Sequence, residues 1–301
     1  ENTMCLPSLE NTGKASKVIA EKTKCQASTI HKAIYSFKDI AEYRDDDLDG
    51  SETYKYYAQL AVNGHSADTV FIVDEASMVS DVYQEEEFFR FGSGYLLQDF
   101  LEFVNLDHND HNKKVIFIGD DAQLPPVGMN FSPALDQDYL KKKYNDPSLT
   151  FELREVVRQK TDSGVISNSI KLRESLNNRV FNQLTLDLAY PGIEEVEYQN
   201  LIDRYLTSCD GKINGEAIIL AHSNADVAAY NRRIREHFFP KEPEITDGDK
   251  IMAVSNSYAY GIDIFNGDFG LVRNVLGKPE QRTRTIRMKN SETGEVEEID
   301  V

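Results

Sequence analysis

Two short apolar runs in this chain each end in acid. Residues 70–73, Val-Phe-Ile-Val, lead straight into Asp74-Glu75-Ala76-Ser77. Residues 115–118, Val-Ile-Phe-Ile, lead into Gly119-Asp120-Asp121-Ala122-Gln123-Leu124-Pro125-Pro126-Val127-Gly128. An uninterrupted apolar run of this length predicts a strand covered on both faces, as in the parallel sheet of an α/β fold. In such sheets ligands bind beyond the carboxyl ends of the strands, which makes the two acidic ends the candidate site.

The rest of the pattern predicts a chain of alternating elements. A short helix follows Gly13-Lys14, with Val18 and Ile19 inward, and a second starts at residues 28–35, capped by Ser28 or Thr29. Residues 88–104 read as helical, broken into two pieces by Gly92 and Gly94. Phe151, Leu153 and Glu155 alternate as in a strand, and residues 165–176 form an amphipathic helix through Ile166, Ile170, Leu172 and Leu176. Residues 216–221 read as a buried strand that opens a second α/β domain. Its helix, capped by Ser223 or Asn224, turns Val227, Tyr230 and Ile234 inward and Arg232, Arg233 and Arg235 outward. Short strands separated by glycine turns follow at 247–254, 266–272, 283–288 and 295–301, the beginning of a small β-barrel.

Residues 36–68 are polar, charged and tyrosine-rich, with Asp49-Gly50 placed as a hairpin turn. They read as an insertion in the first domain. Its aromatic residues either stack bases and wedge a duplex or are buried within a surface excursion, and both readings stay open here.

The residue types at the two acidic ends suit nucleotide hydrolysis. One carboxylate, Asp74, suits Mg²⁺ held mainly through water, and the next, Glu75, can polarise an attacking water. This is the Walker B arrangement. Gln123 carries both donor and acceptor and suits a terminal phosphate with its attacking water. Gly119 permits a tight turn, and Pro125 and Pro126 stiffen the loop beyond it. Arg158 would stabilise charge on a transferred phosphoryl group if it lies at the mouth of the site, or form a salt bridge if it does not. His31 and Lys32 sit in the first turn of their helix, where they either meet a phosphodiester or act as surface and capping residues. Residues 107–111, Asp-His-Asn-Asp-His, read as a polar loop rather than a metal site.

Gly13-Lys14 is not a phosphate loop. The G-x-x-x-x-G-K-[ST] pattern would need glycine where Ser8 stands and a hydroxyl where Ala15 stands, and no other Gly-Lys-Ser or Gly-Lys-Thr occurs in the 301 residues.

Composition adds bounds. A chain of 301 residues, 40% hydrophobic and 28% charged, suggests about two soluble domains. The net charge of −18 argues against non-specific polyanion binding by the chain as a whole, while leaving room for a local basic channel. Cys5, Cys25 and Cys209 are odd in number and far apart, which indicates neither a zinc ribbon nor a disulfide framework and fits a reducing cytoplasm. No apolar run approaches a membrane span, and no secretory signal opens the chain.

Taken together, residues 74–77, 119–128, Leu153 with 155–159 (Glu-Val-Val-Arg-Gln), Gly248-Asp249-Lys250 and Asn266-Gly267-Asp268 resemble the RecD/Dda-like branch of superfamily-one DNA helicases, among them the exodeoxyribonuclease V alpha subunit. The resemblance implies an α/β fold. It places a first RecA-like parallel-sheet domain at 1–176 with the insertion at 36–68, the start of a second RecA-like domain at 177–246, and a partial small β-barrel at 247–301. It implies ATP with Mg²⁺ as cofactors, Asp74 on the metal, Glu75 as base, and Gln123 and Arg158 at the γ-phosphate. Thr12 and Lys14 in the first domain, and Thr29 and His31 beyond them, are implied as contacts to single-stranded DNA, which the motor would follow in the 5′-to-3′ direction. Subunits of a nuclease–helicase complex are implied as further partners. The family's Walker A loop would precede Gly13 and its last motifs would follow the barrel. The expectation is therefore an internal portion of a longer helicase that binds MgATP poorly by itself. The competing expectation is a non-catalytic nucleic-acid-binding or scaffold subunit without a phosphate loop. An RNA helicase of the same superfamily has the same motif chemistry.

Overall fold

The computed structural model describes residues 8–10, 21–22, 24, 27–46, 52–85, 89–108, 111–153, 163–180, 185–190, 192–215, 217–254, 264, 267–277, 285–289 and 296–300. The chain divides into two compact units. One comprises Glu1–Phe151, Ser255–Asn266 and Glu280–Val301, and the other Glu152–Val254 and Gly267–Pro279.

In the first unit, strand β1 (Ser8–Glu10), strand β2 (Ala27–Thr29) and helix α1 (Ile30–Ile34) lead into a long hairpin, β3 (Tyr35–Asp46) and β4 (Glu52–Leu60). Then come β5 (Val70–Val73), β6 (Phe89–Phe91), helix α2 (Leu96–Val104), β7 (Lys114–Phe117) and helix α3 (Gln137–Tyr144). Strands β2, β1, β5 and β7 lie side by side in that order, and every pair is parallel. The two apolar runs are thus neighbours, with Val70 opposite Lys114 and Val73 opposite Phe117.

Helix α2 covers one face of this sheet. Phe71, Val73, Leu97, Phe100 and Val104 are buried together with Ile30 and Ile34. The ring of Phe100 stands edge-on to Phe71 at 6.4 Å and to Phe117 at 5.8 Å, geometries that aromatic quadrupoles favour. Strand β7 is less covered than its sequence predicts. It lies at the edge of the sheet, and Ile116 and Ile118 are 46% and 45% exposed while Val115 and Phe117 pack on the core.

The tyrosine-rich stretch folds as an antiparallel hairpin with Tyr35 opposite Leu60 and Asp46 opposite Glu52. The expected turn at Asp49-Gly50 lies outside the described residues. Residues 88–104 do not form two helical pieces. Among the described residues only 96–104 are helical, and 89–91 form β6, a parallel third strand beside β4. Gly92, at φ +49°, turns the chain between strand and helix, where a side chain would overlap the Asp99 carboxylate. Further on, β8 (Lys250–Met252) and β9 (Phe269–Leu271) form an antiparallel ribbon in the second unit. The last two strands, β10 (Thr285–Lys289) and β11 (Val296–Asp300), pair with each other, and β10 also pairs with β3. These later strands therefore join the hairpin sheet rather than the β8–β9 ribbon.

The second unit holds helices α4 (Gly164–Asn177), α5 (Leu201–Ser208) and α6 (Asn224–Phe238) besides β8 and β9. Helix α6 is capped by Ser223, whose hydroxyl accepts from the Asp226 amide at 3.1 Å. Several expectations fail here. Residues 217–221 form no strand, and Ile218 and Leu220 are 71% and 87% exposed. An apolar run becomes a strand only where a partner takes its backbone groups, and the described residues offer it none. In α4 only Ile166 of the predicted stripe is buried. Arg235 does not face solvent alone. Its guanidinium donates to both Asp249 oxygens at 2.9–3.1 Å and to the carbonyls of Glu242 and Glu244. Asp249, nearly buried, also accepts from the Thr246 amide at 2.8 Å, so one carboxylate ties α6 to the start of β8. Hydrogen bonds from Arg235 hold the Asp249 carboxyl below the usual carboxylate range, against the opposing effect of burial.

A carboxyl whose pKa is lowered by folding stabilises the native state above its unfolded value, and that contribution disappears as pH falls toward the folded value. Asp249→Asn should therefore lower the melting temperature at pH 7, with a difference from the parent chain that shrinks below about pH 4. Thermal melts across that range check it, and a constant difference would contradict the linkage.

Candidate functional site

The site grows from the ends of β5 and β7. Beyond Val73 the chain turns through Asp74, which is half-buried, and Glu75, which is exposed. The Asp74 carboxylate accepts from the Glu75 amide at 3.0 Å. Glu75 takes left-handed backbone angles, φ 51° and ψ 37°, and precedes a turn of 3₁₀ helix at Ala76–Met78. A glutamate in that region costs on the order of 1–3 kcal/mol relative to an unstrained backbone. No sequence pattern announces this strain, which aims the Glu75 side chain differently from an ordinary strand extension.

Two bonds lock the neighbouring ends together. The Ile118 amide donates to the Val73 carbonyl and the Ala76 amide to the Ile118 carbonyl, both at 2.8 Å. The reason for Gly119 then differs from the expected tight turn. A Cβ there would stand 2.9 Å from the Ser77 amide nitrogen and 3.0 Å from Leu135 Cδ1, so glycine is needed because the two strand ends approach so closely. Past it, the Asp120 side chain accepts from the Ala122 amide and the Asp120 carbonyl from the Gln123 amide, both at 3.0 Å. This closed turn carries Gln123, exposed, on the same sheet edge as Glu75. Asp74, Glu75 and Gln123 thus stand at the carboxyl ends of adjacent parallel strands.

Other predicted site residues are placed differently. Thr29 caps α1, its hydroxyl accepting from the Lys32 amide at 3.3 Å. His31 packs its ring against Phe91 at 4.9 Å and Tyr35 at 5.7 Å. Burial lowers its pKa, opposed by the Asp99 carboxylate, which leaves a neutral ring at pH 7. Both residues therefore have structural work in the first unit. Thr12, Lys14 and Arg158 lie outside the described residues.

The donor set can be weighed against magnesium. Among the described residues no group of three or more histidines, cysteines and carboxylates could hold a metal ion by itself. Mg²⁺ needs no such cage, because it keeps several waters and takes one or two carboxylates plus substrate phosphates. Adjacent Asp74 and Glu75 fit that mode. The Ser77 hydroxyl, buried within the same turn without a hydrogen-bond partner, is an orphan that sequence reasoning passed over.

Residues 7–129 match the family model of an AAA domain. An AAA-type domain is a P-loop ATPase module of the kind found in superfamily-one helicases, and its match spans the parallel sheet, the hairpin and both strand ends. Such a domain suggests nucleotide binding and ATP hydrolysis, typically with Mg²⁺. No curated protein matches the chain. Among the described residues no helix is long and apolar enough to cross a membrane.

Two substitutions test the geometry. Gly119→Ala should destabilise the first unit by about 1–3 kcal/mol, since the atoms it meets are mostly backbone and cannot yield. Glu75→Gly should raise stability by up to about 1 kcal/mol, by removing the left-handed penalty. Urea unfolding of both variants checks the pair, and an unaffected Gly119→Ala chain would mean the strand ends are further apart than described.

Proposed function

We propose that the chain is the motor portion of a cytoplasmic ATP-dependent 5′-to-3′ DNA helicase of superfamily one, RecD-like, which follows single-stranded DNA. The supporting observation is the pairing of an acidic strand end, Asp74-Glu75, with a glutamine-bearing loop on the adjacent parallel strand, inside a segment that matches an AAA domain.

In this reading Asp74 holds Mg²⁺, and the ion, when bound, neutralises charge on the phosphate oxygens. Glu75 takes a proton from the attacking water. Gln123 orients that water and contacts the terminal phosphate through its amide. Arg158 supplies positive charge to the phosphoryl group as it transfers. Single-stranded DNA runs across the first unit past Thr12 and Lys14. Thr29 and His31, which cap and pack the start of α1, are the further residues assigned to that path.

The alternative reading is a non-catalytic nucleic-acid-binding or scaffold subunit. Retention of Asp74, Glu75, Gln123 and Arg158 favours the motor, since a scaffold has no use for all four.

Glu75→Gln in the full-length gene product decides between them. DNA-stimulated ATP turnover should fall by roughly a hundredfold or more, with single-strand affinity unchanged, because a general base of this kind contributes about 10²–10⁴ in rate. A parent protein with no turnover supports the scaffold, and a variant that turns over normally removes Glu75 from its role.

A further inference from the structure

Asp81 lies six residues beyond Glu75, and its side chain is completely buried. Three side chains of α3 converge on it. Tyr139 donates its hydroxyl at 2.6 Å, Lys143 its ammonium at 2.7 Å, and Tyr144 its hydroxyl to both oxygens at 2.8 Å. The helical repeat brings Tyr139 and Lys143 onto one face, and the Lys143 ammonium lies 5.3–5.7 Å from the ring centres of Tyr95, Tyr139 and Tyr144. Burial and the bond to Asp81 push both phenols above their usual pKa, so they remain donors at any physiological pH.

Position gives this cluster meaning. Asp81 ends the segment that leaves Glu75, whose Ala76, Ser77, Val79 and Ser80 are buried. Helix α3 ends the segment that leaves Gln123, by way of the 3₁₀ turn Pro133–Leu135, which packs beside the turn Ala76–Met78. Leu135 also presses on Gly119. Apolar packing alone would hold α3 in place without fixing its rotation or register. Charge-assisted bonds to one carboxylate are directional and fix both. A buried charge is not needed for stability as such, because well-packed hydrophobic residues of similar volume often do as well.

We propose that Asp81, held by Tyr139, Lys143 and Tyr144, is a positioning residue for ATP hydrolysis that keeps the Glu75 turn and the Gln123 loop at one fixed separation. The inference rests on the function proposed above. It assigns Asp81 no contact with nucleotide.

Steady-state ATP turnover of the full-length gene product with saturating single-stranded DNA tests it, comparing the parent with Asp81→Asn. The variant should lose about tenfold to a hundredfold in kcat, the penalty for slightly misplaced reacting groups. Its KM for MgATP should stay within about twofold, since ground-state binding is not what Asp81 sets. A parent without turnover overturns the motor reading itself. A parent with turnover and an Asp81→Asn kcat within about twofold of it overturns the positioning role alone. So does a loss of kcat that merely follows the folded fraction measured by thermal melting. If Asp81→Asn does not fold, Tyr144→Phe replaces it. That milder variant should lose several-fold in kcat at constant KM, and an unchanged kcat overturns the proposal.

Discussion

The bond from the Ala76 amide to the Ile118 carbonyl is the constraint on which the first unit depends. It closes the ladder between two parallel strands at the point where both chains leave the sheet. It also forces the two turns so close together that position 119 must be glycine. Everything with chemical capacity is displaced from there by fixed steps: Asp74 and Glu75 on one side, the closed turn to Gln123 on the other. A parallel sheet needs cover, and α2 provides it on one face through Phe100, Leu97 and Val104. The candidate groups therefore sit in short turns anchored directly on the strand ends, close to the sheet that positions them.

How much of this was legible in the sequence varies with the kind of information each feature needs. The strands at 70–73 and 114–117 were legible because an uninterrupted apolar run bounded by polar residues has few other solutions. The antiparallel pairing of 35–46 with 52–60 agrees with the expected hairpin, and the cap at Ser223 was legible from its side-chain chemistry. The strand at 89–91 was not, because Phe-Arg-Phe continues the helical stripe of 96–104 and only the neighbouring strand β4 decides otherwise. The run at 217–221 failed for the opposite reason: its apolar character was clear, but a strand also requires a partner. In the site, residue types and edge position were readable, whereas the left-handed backbone of Glu75 and the close approach at Gly119 are properties of three-dimensional contact. Arg235 read as solvent-facing because helical periodicity reports only a helix's own faces, and Asp249 comes from beyond the helix.

Two buried carboxylates complete the argument. Asp99, on α2, accepts the Tyr35 hydroxyl at 2.7 Å and the Ser93 amide, and so ties the root of the hairpin to the helix that covers the sheet. Asp81 does the same between the turn after β5 and α3. The two carboxylates stand before and after β6 in the chain. Removing the partner of a buried ion pair such as Asp81–Lys143 typically costs about 3–5 kcal/mol. Hydrogen bonds to charge therefore pin the chain at both positions.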